Sequence, residues 1–462
     1  MRQAMLDEII KQQKIDMLEK EKKLPLNTLL SCVKPSDRDF LGSLKKNKSA
    51  FIFECKHRSP SEGMLSETYP VIELAQKYAQ FANAISVLTN QPYFGGNFEH
   101  LKQISETVNK PILCKDIIIN PYQVVLARYY GADAVLLMLS VLNDEEYLAC
   151  HKQAKALNMD VLTEVFTEEE LIRACSLNAT LIGINHRNFH TMQLDMARVK
   201  QLSPHFPKNA FIIAASGIKT HQQIHELSPY ANGFLIGSSL SKSENINILM
   251  RELIFGAIKI CGLTRQQDVQ QAFKVGASYG GFIFAENSPR KITLEKAKKL
   301  VSLAPLHYVG VFVQQSMEYV AQVAQTLNLY AVQLHGGETQ DYIKQLRLIL
   351  PSHCHIWLTY AGGSNLPHVL PHAVDKIVLD KTILGGGGGK TFNWEKLKDT
   401  PLSQHIMLGG GLNVENIQSA QNLGLWGLDI NSGVESIPGI KDDNKLEHLF
   451  FKLREKEESH VG

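Results

Sequence analysis

The sequence predicts an α/β chain of two tandem (β/α)8 (TIM) barrels, the first with an extra N-terminal helix. Three observations carry that prediction. The chain has 462 residues, about twice the ~250 of a single barrel of this kind. Short apolar runs alternate with longer helix-patterned stretches eight times, and then the count restarts. Most runs are continuously apolar rather than alternating, as expected of parallel strands buried on both faces.

The elements follow in order. Residues 1–23 (MRQAMLDEIIKQQKIDMLEKEKK) space apolar positions among charges and read as an amphipathic helix, without the unbroken apolar stretch of a signal peptide. The first strands are expected at 50–55, 84–89, 111–115, 134–138, 160–165, 181–185, 210–214 and 233–236, with helices such as 71–81 and 168–175 between them. Strand–helix alternation implies right-handed crossovers and a parallel sheet. Eight units favour closure; an open doubly wound sheet is the alternative for each half. The second set is expected at 257–261, 279–284, 307–313, 331–334, 355–358, 376–379, 406–408 and 427–430. The junction at 251–256 has no Pro/Ser-rich linker, so closely abutted domains of 1–253 and 254–462 are expected.

Composition narrows the function classes. Hydrophobic residues make up 44% and charged residues 20%, ordinary values for a soluble globular protein. With 48 basic and 46 acidic residues, net charge +2, no global field draws nucleic acid or an anionic membrane. No basic stripe interleaved with aromatics appears either. Anionic ligands must therefore be held by local geometry. The seven cysteines are odd in number, widely spaced and form no Cys-x-x-Cys pair. That argues against a disulfide framework or structural zinc and for a reducing compartment. No stretch approaches the ~20 apolar residues of a membrane span. A soluble, cytoplasmic monomer is expected.

A closed barrel of this class carries its active site at the C-terminal ends of its strands. In the first half the first strand ends Glu54-Cys55-Lys56, followed by Ser59-Pro60-Ser61; the third ends in Lys115. The fifth contains Glu164, and the sixth runs into Asn185-His186-Arg187. Each charged residue alone is more often a solvated or ion-paired rim group. Two lysines, two glutamates and an arginine converging on one rim fit that reading poorly. The seventh and eighth strands lead into Ser216-Gly217 and Gly237-Ser238-Ser239. Such small residues let backbone N–H groups approach a phosphate.

FIFECKHRSPSEG, PILCKDIIINPYQV, DVLTEV, IGINHRNF and NGFLIGSSL, in this order and spacing, resemble the indole-3-glycerol-phosphate synthases over roughly residues 1–250. The resemblance implies indole ring closure of carboxyphenylamino-deoxyribulose 5-phosphate, with loss of carbon dioxide and water and no metal or organic cofactor. It implies Lys115 as general acid, Glu164 as general base, and Lys56 as second acid or carboxylate anchor, positioned by Glu54. Ser59, Asn185 and Arg187 would contact substrate, and Ser216, Gly217, Gly237 and Ser238 would hold its phosphate. A lysine acid works better with a lowered pKa, for which burial and a neighbouring lysine are the expected sources. Three positions depart from the family pattern: Ala215 stands for a glutamate, Asn90 for an aspartate, and His186 for a small polar residue.

In the second half Cys261 ends the first strand (KICGLT) and Asp380 the sixth, with Arg290 in SPRKI and Gln333 and His335 in VQLHGGE. Glycine-rich turns follow at 386–389, 409–411 and Ser432-Gly433. A cysteine there is commonly a buried small hydrophobe and an aspartate commonly a helix cap. Facing each other across a barrel mouth, they also make a base–acid pair if the thiol pKa drops from ~8.5. KICGLT, VGVFV, VQLHGGE, KTFNW, GGLN and LDINSGVE with PGIKD resemble phosphoribosylanthranilate isomerases over about 256–455. The resemblance implies an Amadori rearrangement, with Cys261 as base and Asp380 as acid. Arg290 would sit on the anthranilate carboxylate, Gln333 and His335 on substrate, and Gly410, Gly411, Ser432 and Gly433 on its phosphate. Gly388 and Gly409 depart from the family's commoner residues. The implied partners are phosphorylated small molecules, and the isomerase product is the synthase substrate. Two alternatives stand beside this reading. Other phosphosugar isomerases usually carry aspartate where Cys261 lies. A degenerate first barrel, kept as a structural partner, is the other.

Overall fold

The computed structural model describes residues 3–59, 63–65, 69–188, 191–362, 366–381, 394, 397 and 400–455. They form two compact units, Met1–Ile246 and Asn247–Glu455. Among the described residues no helix is long and apolar enough to cross a membrane.

The first unit is a closed parallel barrel of β1 (Ala50–Cys55), β2 (Ala84–Leu88), β3 (Ile112–Lys115), β4 (Ala134–Met138), β5 (Asp160–Val165), β6 (Leu181–Asn185), β7 (Phe211–Ala215) and β8 (Gly233–Ile236). Closure is made by β1, where Ile52 lies opposite Ala84 on one side and Leu235 on the other. All six residues of β1 are buried, Glu54 with them, as expected of a mostly apolar strand covered on both faces. Strand side chains alternate between the axis and the surrounding helices. Ala50, Ile52, Leu113, Leu136, Leu162, Ile213 and Leu235 accordingly pack into one apolar floor. The next positions up the same faces are Glu54, Ser86, Lys115, Glu164 and Asn185, so the floor is topped by a polar layer.

Three strands of this barrel differ from expectation at their ends: β3 begins at Ile112 rather than 111, β7 runs 211–215 rather than 210–214, and β2 stops one residue early. β7 begins at Phe211 because the Ala210 N–H donates to Pro207 O in a turn. β2 stops at Leu88 because the Thr89 hydroxyl turns to donate to Asp116 at 2.7 Å. Helices between strands start on side-chain caps, with reciprocal capping boxes at Asn143/Glu146 and Thr167/Glu170. At the N-terminal end of the barrel, buried Asp133 takes ion pairs from Arg38 and Arg128, each at 2.8 Å, and hydrogen bonds from Ser36 and the Ile112 amide.

The N-terminal segment forms α1 (Gln3–Lys23). Its buried stripe is narrow: Leu6, Ile9 and Gln13 are covered, while Ile15 and Leu18 are exposed. Spacings of three and four put the covered residues on one helix face.

The second unit repeats the plan with β9 (Ala257–Ile260), β10 (Tyr279–Ile283), β11 (His307–Phe312), β12 (Ala331–Leu334), β13 (His355–Ala361), β14 (Lys376–Asp380), β15 (Ile406–Leu408) and β16 (Gly427–Ile430). β13 runs three residues past its expected end, pairing Ala361 with Asp380. Ala257, Tyr279, Val309, Ala331, Trp357, Val378 and Met407 form the floor. Above them the axis turns polar, with Lys259, Gln333, Thr359 and Asp429 joined by hydrogen bonds. Cys261, Ile283 and Val311 pack together one further step up.

Candidate active sites

The polar layer of the first barrel opens into a cleft lined by Glu54, Lys56, Lys115, Asn185, Arg187 and the turns after β7 and β8, with Leu6 and Ile9 of α1 among its other walls. Glu54 is the hub. Its Oε1 lies 2.7 Å from Lys56 Nζ and its Oε2 3.8 Å from Lys115 Nζ. Burial pushes the Glu54 carboxyl up, but the two ammonium groups outweigh it and hold the group below its ordinary value. Gly237 makes room for this hub: a Cβ there would stand 2.5 Å from Glu54 Oε1.

Lys115 corrects one expectation. Burial pushes its pKa down, yet Glu54 and Glu164 push it up and prevail, so the group stands above its ordinary value. The second lysine does not lower it because Glu54 lies between the two. Glu164 moves the other way from Glu54. Its carboxyl is raised, chiefly by burial, against the opposing pull of Lys115 and a hydrogen bond from Asn185. The pair therefore offers a cation that keeps its proton until a strong acceptor arrives, beside a carboxylate of raised proton affinity.

Asn185 is fixed in turn, its Oδ1 accepting from the Arg187 amide at 2.9 Å, and Arg187 Nη1 donates to Met192 O at 3.2 Å. The turns after β7 and β8 meet where Ser239 Oγ donates to Ile218 O at 3.0 Å. Ser216 and Gly217 both take left-handed conformations, φ 73° and 81°. The buried His186 ring sits 2.9 Å from Ser216 O and so braces this turn. Burial lowers the imidazole pKa and so favours the neutral ring. Ala215 is the last residue of β7 and part of the cleft wall. The side chain of Ser59 lies outside the described residues.

In the second barrel Cys261 is buried just beyond β9, with Lys259 two residues before it on the same inward face. Lys259 Nζ donates to Gln333 Oε1 and Asp429 Oδ2, both at 2.8 Å. Burial raises the Cys261 thiol and Lys259 opposes it; the net shift is upward, so the drop expected of a thiolate base is not met. Asp380 is likewise raised by burial, against the pull of His335, whose Nε2 lies 3.8 Å from Oδ2. A carboxyl with raised proton affinity suits an acid. Gly281 is needed beside the thiol, since a Cβ there would lie 2.7 Å from Cys261 Sγ.

Arg290 is engaged by a residue the sequence reading did not single out. Its Nε and Nη2 form a two-pronged ion pair with buried Glu435, which Lys441 also holds at 2.9 Å. The turns after β15 and β16 come together as in the first barrel: a Cβ on Gly433 would lie 1.9 Å from Leu412 O, one residue past Gly410-Gly411. Ser432 opens a single helical turn there. The turn at 386–389, with Gly388, lies outside the described residues.

Sequence reading thus missed Ser86, Lys259, Asp429, Glu435 and Lys441. Period-two alternation would have found Ser86 and Lys259, which share inward faces with the core residues Ala84 and Ala257; Asp429 follows Gly427 on its face, which carries no apolar signal. Glu435 and Lys441 sit on a two-stranded hairpin beyond the barrel, Glu435–Ile437 with Ile440–Lys441, for which the apolar pattern carried no signal.

Each half of the chain matches a known family. The family profile described as indole-3-glycerol phosphate synthase matches residues 6–253. That described as N-(5'-phosphoribosyl)anthranilate (PRA) isomerase matches 258–452. A Vibrio cholerae protein named tryptophan biosynthesis protein TrpCF is 46% identical over 438 residues, covering 94% of this chain and 93% of its own. Its namesake from Vibrio parahaemolyticus is 47% identical, covering 93% and 90%. The Yersinia pestis namesake is 45% identical, covering 98% and 94%.

Proposed function

The chain belongs to the bifunctional family that joins indole-3-glycerol phosphate synthase to phosphoribosylanthranilate isomerase, and on that premise we propose which residues do the work in each barrel. It is a tryptophan-biosynthesis enzyme. The second barrel isomerises N-(5-phosphoribosyl)anthranilate to 1-(2-carboxyphenylamino)-1-deoxyribulose 5-phosphate. The first closes the indole ring of that product with loss of carbon dioxide and water, giving indole-3-glycerol phosphate.

In the synthase barrel, Lys115 protonates the substrate carbonyl oxygen as the ring closes, and Glu164 accepts the proton released. Lys56 anchors the carboxylate, held in place by Glu54. Asn185 and Arg187 contact the polar edge of the substrate, with Ser59 as a further contact. The turns at Ser216-Gly217 and Gly237-Ser238 receive the phosphate. The observation that carries this assignment is Lys115 on the wall of one open cleft, 3.8 Å from Glu54 and under the pull of buried Glu164, the first carboxyl pushed down and the second pushed up.

In the isomerase barrel, Asp380 protonates the furanose oxygen to open the ring, and Cys261 removes the C2 proton. Arg290 holds the anthranilate carboxylate through its Nη1 edge while Glu435 fixes its other edge. Gln333 and His335 contact the substrate, and Gly410-Gly411 with Ser432-Gly433 hold the phosphate. On this reading labour divides near residue 253, and the chain works as a cytoplasmic monomer on phosphorylated small molecules, without a cofactor. Its balanced charge of +2 supports partners of that size.

The test is indole fluorescence from purified chain supplied with carboxyphenylamino-deoxyribulose 5-phosphate. Steady product is expected. Folded chain that yields none, while still isomerising, would make the first barrel a degenerate partner, the reading that Ala215 favours.

A further inference from the structure

α1 supplies Leu6 and Ile9 to the cleft, yet only a narrow stripe of it is buried. One turn beyond Ile9, on that stripe, Gln13 is 4% exposed and joins a run of hydrogen bonds under the helix. Asn90 Nδ2 donates to Gln13 Oε1 at 2.9 Å, and Gln13 Nε2 donates to Asp116 Oδ1 at 3.0 Å. Asp116 Oδ1 also accepts the Ile117 amide at 2.8 Å, and Oδ2 accepts the Thr89 hydroxyl at 2.7 Å. Asn90 Oδ1 accepts the Tyr93 amide at 3.3 Å. Donors and acceptors alternate along the whole run. Beyond Gln13 the helix covers a small void edged by Met17, Lys20, Phe98 and Tyr122.

We infer that Gln13, Asn90 and Asp116 form a clasp that seats α1 over the synthase cleft and registers it against the strand end bearing Lys115. The inference rests on the assignment of that cleft as the synthase site. Asp116 directly follows Lys115, and Asn90 caps the short helix Gln91–Phe94, whose Phe94 lines the cleft. One amide on α1 therefore ties the helix that carries the wall residues Leu6 and Ile9 to two other segments of the cleft wall at once. Gln13 and Asn90 are matched. Asn90 must donate, because its Oδ1 already accepts the Tyr93 amide and Gln13, with its Nε2 turned to Asp116, presents only its Oε1. A carboxylate at position 90 would face the Gln13 carbonyl oxygen with no proton between them. These three are positioning residues; none touches a reacting atom.

The experiment is steady-state kinetics of both reactions in Asn90→Asp and in the double variant Gln13→Lys/Asn90→Asp, beside the parent chain. Parent turnover of carboxyphenylamino-deoxyribulose 5-phosphate establishes the site assignment before any variant is read. Asn90→Asp is expected to raise the synthase KM about tenfold with kcat changed by less than about threefold, because it loosens a wall that binds ground and transition states alike. Isomerase kinetics stay at parent level, and a parent-like urea midpoint of the synthase unit reports that the first barrel is folded. In the double variant the new ammonium group faces both carboxylates, and KM is expected to return to within about threefold of the parent. An unchanged KM in Asn90→Asp overturns the inference, as does a raised KM that the second substitution fails to lower. A fall in kcat with KM unchanged overturns it too. If Asn90→Asp does not fold, Gln13→Met removes the same two hydrogen bonds from the helix side, and a parent-like KM there is equally fatal.

Discussion

Lys259 Nζ lies 2.8 Å from Asp429 Oδ2, and the two residues are register partners across β9 and β16, one inward step beneath Cys261. Lys259 is fully buried and pulls the Cys261 thiol down against the effect of burial. With the ammonium removed, the thiol stands higher, so thiolate forms at higher pH. Lys259→Met is expected to move the rising limb of the isomerase pH profile upward by about 1–3 pH units. A limb that stays in place would exclude the lysine from tuning the base.

Each barrel carries its own acid and base, which predicts clean separation by mutation. Lys115→Ala is expected to lower indole formation by at least ~10²-fold and leave isomerisation at parent level. Cys261→Ala is expected to do the converse. Parallel loss of both activities in either variant, measured on one preparation, would refute independent sites.

Glu164 is raised by burial, and Asn185 works against that rise by favouring the charged form. Glu164 acts as base only when ionised, so synthase kcat/KM climbs as pH rises through its pKa. Asn185→Ala removes a stabiliser of the carboxylate, and the acid-side limb is expected to shift to higher pH. Lys115 stands above its ordinary value of 10.5, so no alkaline fall from it is expected below that pH. An acid limb unmoved by Asn185→Ala would show that another group sets it.

The N-terminal end of the first barrel holds a buried ion-pair cluster. Asp133 is buried and holds Arg38 and Arg128 at 2.8 Å each. Asp133→Ala strands two partly buried guanidinium groups and is expected to cost about 3–5 kcal/mol, read as a lower urea midpoint for the synthase unit. A midpoint within experimental error of the parent would mean solvent takes over both arginines.

Much of the architecture was legible in the amino-acid order. The continuous run AFIFEC demanded a strand buried on both faces, and it is buried at all six positions. The sixteen runs fell on sixteen barrel strands, because a parallel strand covered on both sides carries its own apolar signature. Errors at the ends came from local competition, as where the Ala210 amide turns back to Pro207. Glu54, Lys56, Lys115, Glu164 and Asn185 were also readable, because a closed barrel sends the ends of its strands to one rim.

The sequence by itself determined two closed barrels, the rim on which chemistry-bearing residues gather, and the family to which the chain belongs. Tertiary structure alone decided which way the proton affinity of those residues moves, and their partners. Glu54 lies between Lys56 and Lys115, so Lys115 is pushed up where two lysines in the sequence had suggested the reverse. Gln13 meets Asn90 and Asp116 across 77 and 103 residues, Lys259 meets Asp429 across 170, and Arg290 meets Glu435 across 145. Apolar periodicity is a property of neighbours along the chain, whereas a proton's affinity for a buried group depends on which charges the fold brings within a few ångströms of it.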